Sequence, residues 1–252
     1  MIPASVMQKW VESTVAGQTR WTERLFSLKV EADIPFEAGQ FAKLALEVGG
    51  EMLARPYSFV NAPGERPHEF YYVALPDGPL TQRLCKLGAG DRIYLAPRPA
   101  GFLALSEVPD GENLWLISTG TGIGPFLSIL KTEAPWRRFK RVVLVHAVRL
   151  AEELTHRESI ERLLHEHGGQ MRAVSFVSRE TAAGALSGRI PAAIEEGRVE
   201  AAAGVDLSAA SSQVMICGNP EMVKDASAAL ARRGMKKHRR RDPGQITVEN
   251  YW

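Results

Sequence analysis

The chain has 252 residues, with 45% hydrophobic and 24% charged residues and a net charge of only +2. This balance is typical of a globular protein and excludes the disordered and fibrous classes. No apolar run approaches the about 20 residues that a membrane-spanning helix needs, and we expect neither a membrane nor a nucleic-acid partner.

The first hundred residues predict a series of short strands. Phe26, Leu28 and Val30 share one face at a period of two, as a half-buried strand requires. Other β-rich runs occupy residues 41–46, 69–75 and 92–95. Because glycine and proline punctuate these runs, we predict an antiparallel β-barrel.

After a polar stretch at residues 106–112, strands and helices alternate. The apolar runs are residues 114–117, 142–145, 173–177 and 214–217, with helices near 126–131 and 152–167. Continuous apolar strands separated by helices indicate a parallel sheet that is covered on both faces. A last helix is expected to begin at Pro220, with Asn219 as its cap, and to end near Gly234.

The change of pattern predicts two domains. We assign residues 1–105 to the barrel and residues 106–252 to a doubly wound α/β domain.

The two cysteines, Cys85 and Cys217, lie far apart in the sequence. This disfavours a disulfide framework, a zinc site and a four-cysteine iron–sulfur cluster, and no metal is expected. Residues 1–10 lack a secretory signal, so we expect a cytoplasmic protein, and we expect a monomer.

A glycine-rich loop at residues 119–125 follows directly on the first strand of the α/β domain. Small residues here let the backbone approach a pyrophosphate, whose charge the start of the next helix favours. The loop is not a P-loop, because no Gly-Lys-Ser/Thr follows, and its third glycine comes one place early for the usual GxGxxG. An ordinary tight turn is the alternative.

Arginines recur just after the later strands, at Arg149, at Arg179 beside Ser178, and at Arg189. In an open α/β sheet the carboxyl ends of the strands line the ligand crevice. Guanidinium groups suit a phosphate monoester, which they bind through paired hydrogen bonds. The group therefore favours NADP over NAD, with ordinary surface arginines as the alternative.

The segment Arg55-Pro56-Tyr57-Ser58 brings a cation, a flat ring and a hydroxyl close together. In an extended strand, Arg55 and Tyr57 face one side while Ser58 faces the other. A ligand wrapped over the strand end could contact all three. The alternative is a strand that contributes one tyrosine to the core.

Three further segments give weaker signals. The turn from Gly78 to Thr81 opens a short helix, expected over residues 81–87, whose backbone N–H groups either bind phosphate or belong to an ordinary turn. Cys217 either lies over the crevice of the sheet or is a buried core residue. The closing aromatic pair Tyr251-Trp252 is better explained by stacking on something flat than as a loose tail.

A basic cluster at residues 236–241 holds five Lys and Arg residues, more than the whole net charge of +2. One interpretation is a solvated surface near the C-terminus. The other is a docking site for an acidic partner or a phosphate.

Together these segments resemble the ferredoxin/flavodoxin–NADP⁺ reductase family, in its bacterial type that ends in Tyr-Trp. Residues 55–58 look like its RxYS flavin motif, and residues 78–81 like its GxxS/T turn for pyrophosphate. Residues 119–125 are similar to its NADP loop, and Cys217-Gly218 to its CG motif. The resemblance covers nearly the whole chain, and motifs that are weak alone become specific when they occur in the right order.

The resemblance implies FAD and NADP(H) as cofactors. Its FAD residues would be Arg55, Pro56, Tyr57, Ser58, Tyr72, Val73, Gly78, Leu80, Thr81, Tyr251 and Trp252. Its NADP(H) residues would be Thr119, Thr121, Gly122, Val148, Arg149, Ser178, Arg179, Arg189 and Gly218. Its catalytic residues would be Ser58 near the reactive flavin N5, Cys217 beside the nicotinamide, and Glu249 at the place of the family's proton-relay carboxylate.

The resemblance also implies an activity and a partner. NADPH would give a hydride to flavin N5, and single electrons would pass to ferredoxin or flavodoxin. Such carriers are acidic, so the basic cluster would steer them or bind cofactor phosphate. The spacing around Glu249 differs from that of plant-type members, and the chain extends past the tyrosine on which those enzymes end.

Two rival interpretations remain open at the level of sequence. One is an electron-transfer subunit of a larger oxidoreductase, although such subunits commonly add a cysteine-rich cluster segment and this chain has only two distant cysteines. The other is a non-enzymatic nucleotide-binding module, which would be colourless and would not oxidise NADPH.

Overall fold

The computed structural model describes residues 10–250 and contains two six-stranded sheets. The first sheet is antiparallel, in the order β4-β3-β6-β1-β2-β5. Its strands are β1 Val11–Arg20, β2 Leu25–Glu31, β3 Phe41–Val48, β4 Glu51–Ser58, β5 His68–Val73 and β6 Arg92–Leu95. A bridge between Phe59 and Phe70 joins the ends of β4 and β5. The sheet therefore closes into the predicted barrel.

The barrel core follows from the period-two pattern of the strands. Phe26, Leu28 and Val30 are buried in it together, which confirms the face predicted from β2. Ser27, on the other face of β2, is also buried and accepts a hydrogen bond from Trp21 Nε1 at 3.0 Å. The sequence did not reveal β1, which pairs with both β2 and β6.

The second sheet is parallel, in the order β10-β9-β8-β7-β11-β12. Its strands are β7 Asn113–Thr119, β8 Arg141–Val148, β9 Met171–Val177, β10 Ala185–Ser187, β11 Ser212–Gly218 and β12 Ile246–Asn250. The order reverses at β7, with β8 on one side and β11 on the other. Such a reversal opens a ligand crevice at the carboxyl ends of the strands.

Helices cover both faces of the parallel sheet, as a doubly wound fold requires. One helix, α1 Thr81–Leu84, packs on the barrel core instead. The helices on the parallel sheet are α2 Gly124–Leu130, α3 Ala134–Arg138, α4 Arg157–Glu166, α5 Ile190–Glu195, α6 Arg198–Ala203 and α7 Pro220–Arg232. Helices α2, α3 and α4 pack on the face that carries Leu116 and Leu144. Helices α5, α6 and α7 pack on the face that carries Ile117 and Val145.

Four predicted helices can be compared with the structure, and the one expected near residues 126–131 is α2 Gly124–Leu130. The Asn219 side chain caps α7 by accepting hydrogen bonds from the backbone of residues 221 and 222, which confirms that prediction. The helix expected over residues 152–167 was placed too early, since α4 begins at Arg157 after His156 adopts a left-handed conformation with φ 57°. The helix expected over residues 81–87 ends at Leu84.

Direct hydrogen bonds connect the barrel to the parallel-sheet half. From α2, Ser128 Oγ donates to the Asn61 carbonyl at 2.8 Å, and Lys131 Nζ donates to the Val60 carbonyl at 3.2 Å. Thr155 Oγ1 donates to the Tyr71 hydroxyl at 2.8 Å. The domain boundary after residue 105 stays a prediction. Within residues 10–250, no helix is long and apolar enough to cross a membrane.

Candidate functional site

A cleft with a volume of about 660 Å³ lies where the barrel meets the parallel sheet. Strands β4 and β5 and the turn before α1 form its barrel wall, while Thr121, Glu249 and Asn250 form the opposite wall. The lining surface is mostly apolar with a few polar groups, which is typical of a cofactor site. The structure thus brings the predicted flavin motif and the glycine-rich loop to one place.

Strand β4 brings all four residues of the Arg-Pro-Tyr-Ser motif to the cleft. Arg55 is exposed, and its guanidinium makes no ion pair with any described carboxylate, so it can meet a phosphate. Burial raises the pKa of Tyr57, although the nearby Arg55 charge opposes the shift. Ser58 is 4% exposed and is paired in register with Phe41 of β3, which also lines the cleft.

Strand β5 contributes three consecutive residues to the cleft, Tyr71, Tyr72 and Val73. The Tyr72 hydroxyl donates to Gln18 Oε1 at 2.7 Å, and its ring meets that of Tyr57 edge to face at 6.0 Å. These contacts fix the two rings against one another. Tyr72 and Val73 were predicted, whereas Tyr71 was not.

The turn from Gly78 to Thr81 is held together by the Thr81 hydroxyl. This hydroxyl accepts from the Leu75 backbone N–H at 3.1 Å and donates to the Gly78 carbonyl at 3.3 Å. A Cβ on residue 78 would overlap Thr81 Oγ1, so only glycine fits there. Thr81 therefore shapes the turn, and Leu80 and Gly78 line the cleft beside it.

The glycine-rich loop follows β7, as predicted, and is packed closely against β11. Thr119 Oγ1 accepts from the Asn219 backbone N–H at 3.0 Å, which ties the ends of β7 and β11 together. A Cβ on Gly122 would lie 2.6 Å from the Cys217 carbonyl oxygen, so the loop requires glycine there. Of the loop residues, Thr121 lines the cleft.

Cys217 and Glu249 are register partners on β11 and β12. Cys217 is fully buried within the apolar cluster beneath the cleft and does not line it. Glu249 does line it, and its Oε2 is buried without a hydrogen-bond partner. Burial raises the pKa of Glu249 to about 7, while a hydrogen bond from the Phe102 backbone opposes the shift. Such a carboxyl can hold or release a proton near neutral pH.

Arg149 and Arg179 follow the carboxyl ends of β8 and β9, and Arg189 follows that of β10. The Arg179 backbone N–H donates to the Arg149 carbonyl at 3.0 Å, and Ser178 Oγ donates to the Val148 carbonyl at 3.2 Å. Arg189 directly precedes α5, and its side chain makes no capping hydrogen bond. The three guanidiniums are exposed and form no ion pair with a described carboxylate.

Sequence reasoning missed several residues that line the cleft. They are Phe41, Tyr71, Leu75, Pro76, Asp77, Pro79 and Asn250. Most of them flank a predicted motif in the sequence, and that proximity was the available signal. The predicted pair Tyr251 and Trp252 lies outside the described residues.

Comparisons with known proteins agree with this geometry. Residues 116–228 match the model of the oxidoreductase NAD-binding domain. The chain is 49% identical to the flavodoxin/ferredoxin–NADP reductase of Shigella flexneri, over 98% of this chain and 100% of that protein. It is 48% identical to the protein of that name from Escherichia coli strain K12, with the same coverage.

Solved structures are similar as well. A ferredoxin NADP⁺ reductase from Neisseria gonorrhoeae, solved with bound FAD and NADP, aligns with a TM-score of 0.92 at 36% identity, over 97% of this chain and 99% of that one. These relatives confirm the resemblance inferred from the motifs. The chain belongs to the flavodoxin/ferredoxin–NADP reductase family.

Proposed function

We propose that this protein is an FAD-dependent oxidoreductase that transfers electrons between NADPH and ferredoxin or flavodoxin. The observation that carries the proposal is the shared cleft, in which the Arg55–Ser58 motif of the barrel faces Thr121 and Glu249 of the parallel-sheet half. The names of its full-length relatives, and the FAD and NADP bound in a similar structure, support it.

The residues of the cleft fit FAD. Arg55 offers a guanidinium for the pyrophosphate, and the half-buried Tyr57 ring offers a flat surface for the isoalloxazine. The buried Glu249 Oε2 has no protein partner, which suits a site that a ligand completes. When bound, FAD accepts a hydride from NADPH and passes single electrons onward. Ser58 is proposed to orient the flavin and Glu249 to hold or release a proton at its carboxyl oxygens.

NADP(H) is proposed to bind across the carboxyl ends of the parallel strands. The glycine-rich loop, with Thr121 directed into the cleft, would bring the nicotinamide end towards the barrel. Arg149, Arg179 and Arg189 would bind the 2′-phosphate, because their exposed guanidiniums are not neutralised by described carboxylates. This arrangement favours NADPH over NADH.

The carrier is proposed to dock on a surface formed by Phe102, Lys237, Arg239, Arg240 and Arg241, here called the docking surface. Phe102 is 65% exposed, which is unusual for a large aromatic residue. The Arg240 guanidinium lies 5.1 Å from its ring centre, and two hydrogen bonds to Glu107, of 2.8 and 2.5 Å, fix that guanidinium. An exposed ring beside one guanidinium, which belongs to a segment with three further cations, is complementary to an acidic protein.

The docking surface lies next to the cleft, because the residue before Phe102 is close to Glu249. Gly101 precedes Phe102, and a Cβ on residue 101 would lie 3.1 Å from Glu249 Oε1. A carrier seated on Phe102 would therefore stand beside the Glu249 side of the cleft. Electron transfer between proteins needs a short distance between the redox groups, which is why the docking surface is proposed beside the cleft.

The proposal is tested by comparing carrier reduction with the reduction of an uncharged quinone, both at saturating NADPH and at rising salt. Carrier reduction is expected to slow as salt screens the docking surface, while quinone reduction is not. Arg241→Gln is expected to raise the KM for the carrier by about threefold to tenfold at low salt. Arg137→Gln removes the same charge from α3 and is the control. Equal salt sensitivity of both reactions, or equal effects of both variants, would contradict the docking surface.

We further propose a cytoplasmic location and a monomeric state. Cys217 is buried and Cys85 half-buried, and neither is in a disulfide, which fits a reducing compartment. Size-exclusion chromatography with light scattering would test the monomer, and a dimer mass would contradict it.

A further inference from the structure

A row of polar side chains crosses the parallel sheet beneath the cleft. In register, Glu249 is paired with Cys217, Cys217 with Ser118, and Ser118 with His146. Register partners on neighbouring parallel strands project from the same face of a sheet. His146 therefore lies on the face covered by α2, next to the strand from which the glycine-rich loop departs.

His146 contacts that loop directly. It is 3% exposed, and its Nε2 lies 3.0 Å from the carbonyl oxygen of Gly120. Because a carbonyl oxygen can only accept, Nε2 must carry the proton of this bond. Burial lowers the pKa of His146 to about 4, with a smaller contribution from His156, while the bond to Gly120 opposes the shift. The ring is therefore a neutral donor at neutral pH.

The bond holds the loop at Gly120, where the backbone turns out of β7. Gly120 has a φ of 53°, in the left-handed region, and a Cβ there would meet nothing within 4 Å. Two residues later, Gly122 is held by its packing on the Cys217 carbonyl. Thr121, which lines the cleft, lies between these two points. The loop is thus held on both sides of Thr121, by His146 at Gly120 and by the β11 backbone at Gly122.

We propose that His146 is a positioning residue, which holds the glycine-rich loop through the Gly120 carbonyl in the conformation that binds NADP(H). The inference rests on the proposed function of this loop. His146 does not touch the cofactor, since it is buried under the loop and does not line the cleft. Without its donor, the Gly120 carbonyl would keep only the hydrogen bond of the short 3-10 turn over residues 120–123, and the loop would no longer be tied to β8.

Two substitutions separate the hydrogen bond from the packing of the ring. His146→Phe keeps a planar ring but has no donor, whereas His146→Gln keeps an N–H donor without the ring. The dissociation constant of NADP⁺ is measured by titration of the flavin absorption spectrum of the holoprotein. His146→Phe is expected to raise this constant about tenfold, and His146→Gln by no more than about threefold. The FAD content of both variants is expected to equal that of wild type, because the barrel is unchanged.

Equal weakening by His146→Phe and His146→Gln, or no weakening by His146→Phe, would overturn the proposal. If His146→Phe does not fold, His146→Met replaces it with the same expected result, because its flexible chain fills the space without a donor. Leu144→Ala is the control for a general loss of core packing, because Leu144 lies two residues before His146 on the same face of β8. It is expected to lower Tm without changing NADP⁺ affinity, and an equal loss of affinity would also overturn the proposal.

Gly122→Ala distinguishes a failure of this inference from a failure of the proposed function. Its Cβ would lie 2.6 Å from the Cys217 carbonyl oxygen and would displace the loop directly. If Gly122→Ala weakens NADP⁺ binding and His146→Phe does not, only the role of His146 is wrong. If neither variant changes binding, the loop is not the NADP site and both proposals fall.

Discussion

Replacing Glu249 with glutamine is expected to remove a pH dependence from the stability of the protein. Burial in the cleft wall raises the pKa of this carboxyl to about 7, whereas the unfolded chain leaves it at 4.5. Between these values the folded protein binds a proton that the unfolded chain does not. The contribution of Glu249 to the free energy of unfolding of wild type should therefore fall as pH rises from 4.5 to 7 and then level off.

The size of the effect follows from the shift. Each pH unit in that interval changes the free energy of unfolding by at most about 1.4 kcal/mol, which sets an upper bound of about 3.5 kcal/mol. Because Glu249 is only partly buried, solvent screening reduces this, and we expect about 2 kcal/mol. Any cost of burying the glutamine amide is independent of pH. The test therefore compares the free energy of unfolding at acid and at alkaline pH within each variant, and not the stability of the variants at one pH.

Urea unfolding of the protein freed of FAD, followed by circular dichroism between about pH 5 and pH 8, measures this quantity without a contribution from flavin binding beside Glu249. Glu249→Gln should lose the decline that wild type shows over this range. Glu51→Gln, which removes an exposed carboxylate from β4, is the control and should follow wild type. Curves for wild type and Glu249→Gln that run parallel at all pH values would refute the reasoning.

Three other substitutions test separate parts of the structure. Thr155→Val loses the 2.8 Å hydrogen bond to the Tyr71 hydroxyl and should lower the free energy of unfolding by about 1–2 kcal/mol in urea; no change would show that the bond does not stabilise the domain contact. Gly218→Ala should lower both Tm and NADP⁺ affinity, because φ is 136° and a Cβ would overlap Thr119 Oγ1. Arg179→Ala should raise the KM for NADPH about tenfold and leave that for NADH unchanged, and equal effects on both would contradict a role in 2′-phosphate binding.

Much of the fold could be predicted from the sequence because its strands are strongly patterned. The alternation of Phe26, Leu28 and Val30 and the apolar runs of β7, β8 and β11 identified both sheets. The break before α4 could not be predicted, because His156 adopts its left-handed conformation without a glycine or proline to signal it. Strand β10 was missed because it has three residues and pairs with one neighbour only.

The candidate site was predictable where one segment carries the chemistry and hidden where distant segments meet. Arg55 to Ser58 form such a segment, and all four residues line the cleft. Phe41 enters the site only because β3 pairs with β4 and places it opposite Ser58. The contact between His146 and Gly120 depends on the register of β7 and β8, which no local pattern specifies. The pairing of strands that are distant in the sequence, rather than local secondary-structure propensity, places Phe41, His146 and Gly120.

The most direct test of the account is the visible absorption spectrum of the purified protein before and after anaerobic addition of NADPH. The purified protein is expected to be yellow, with flavin bands that NADPH bleaches and a slower response to the same concentration of NADH. A colourless protein, or a flavin that NADH reduces as fast as NADPH does, would contradict it.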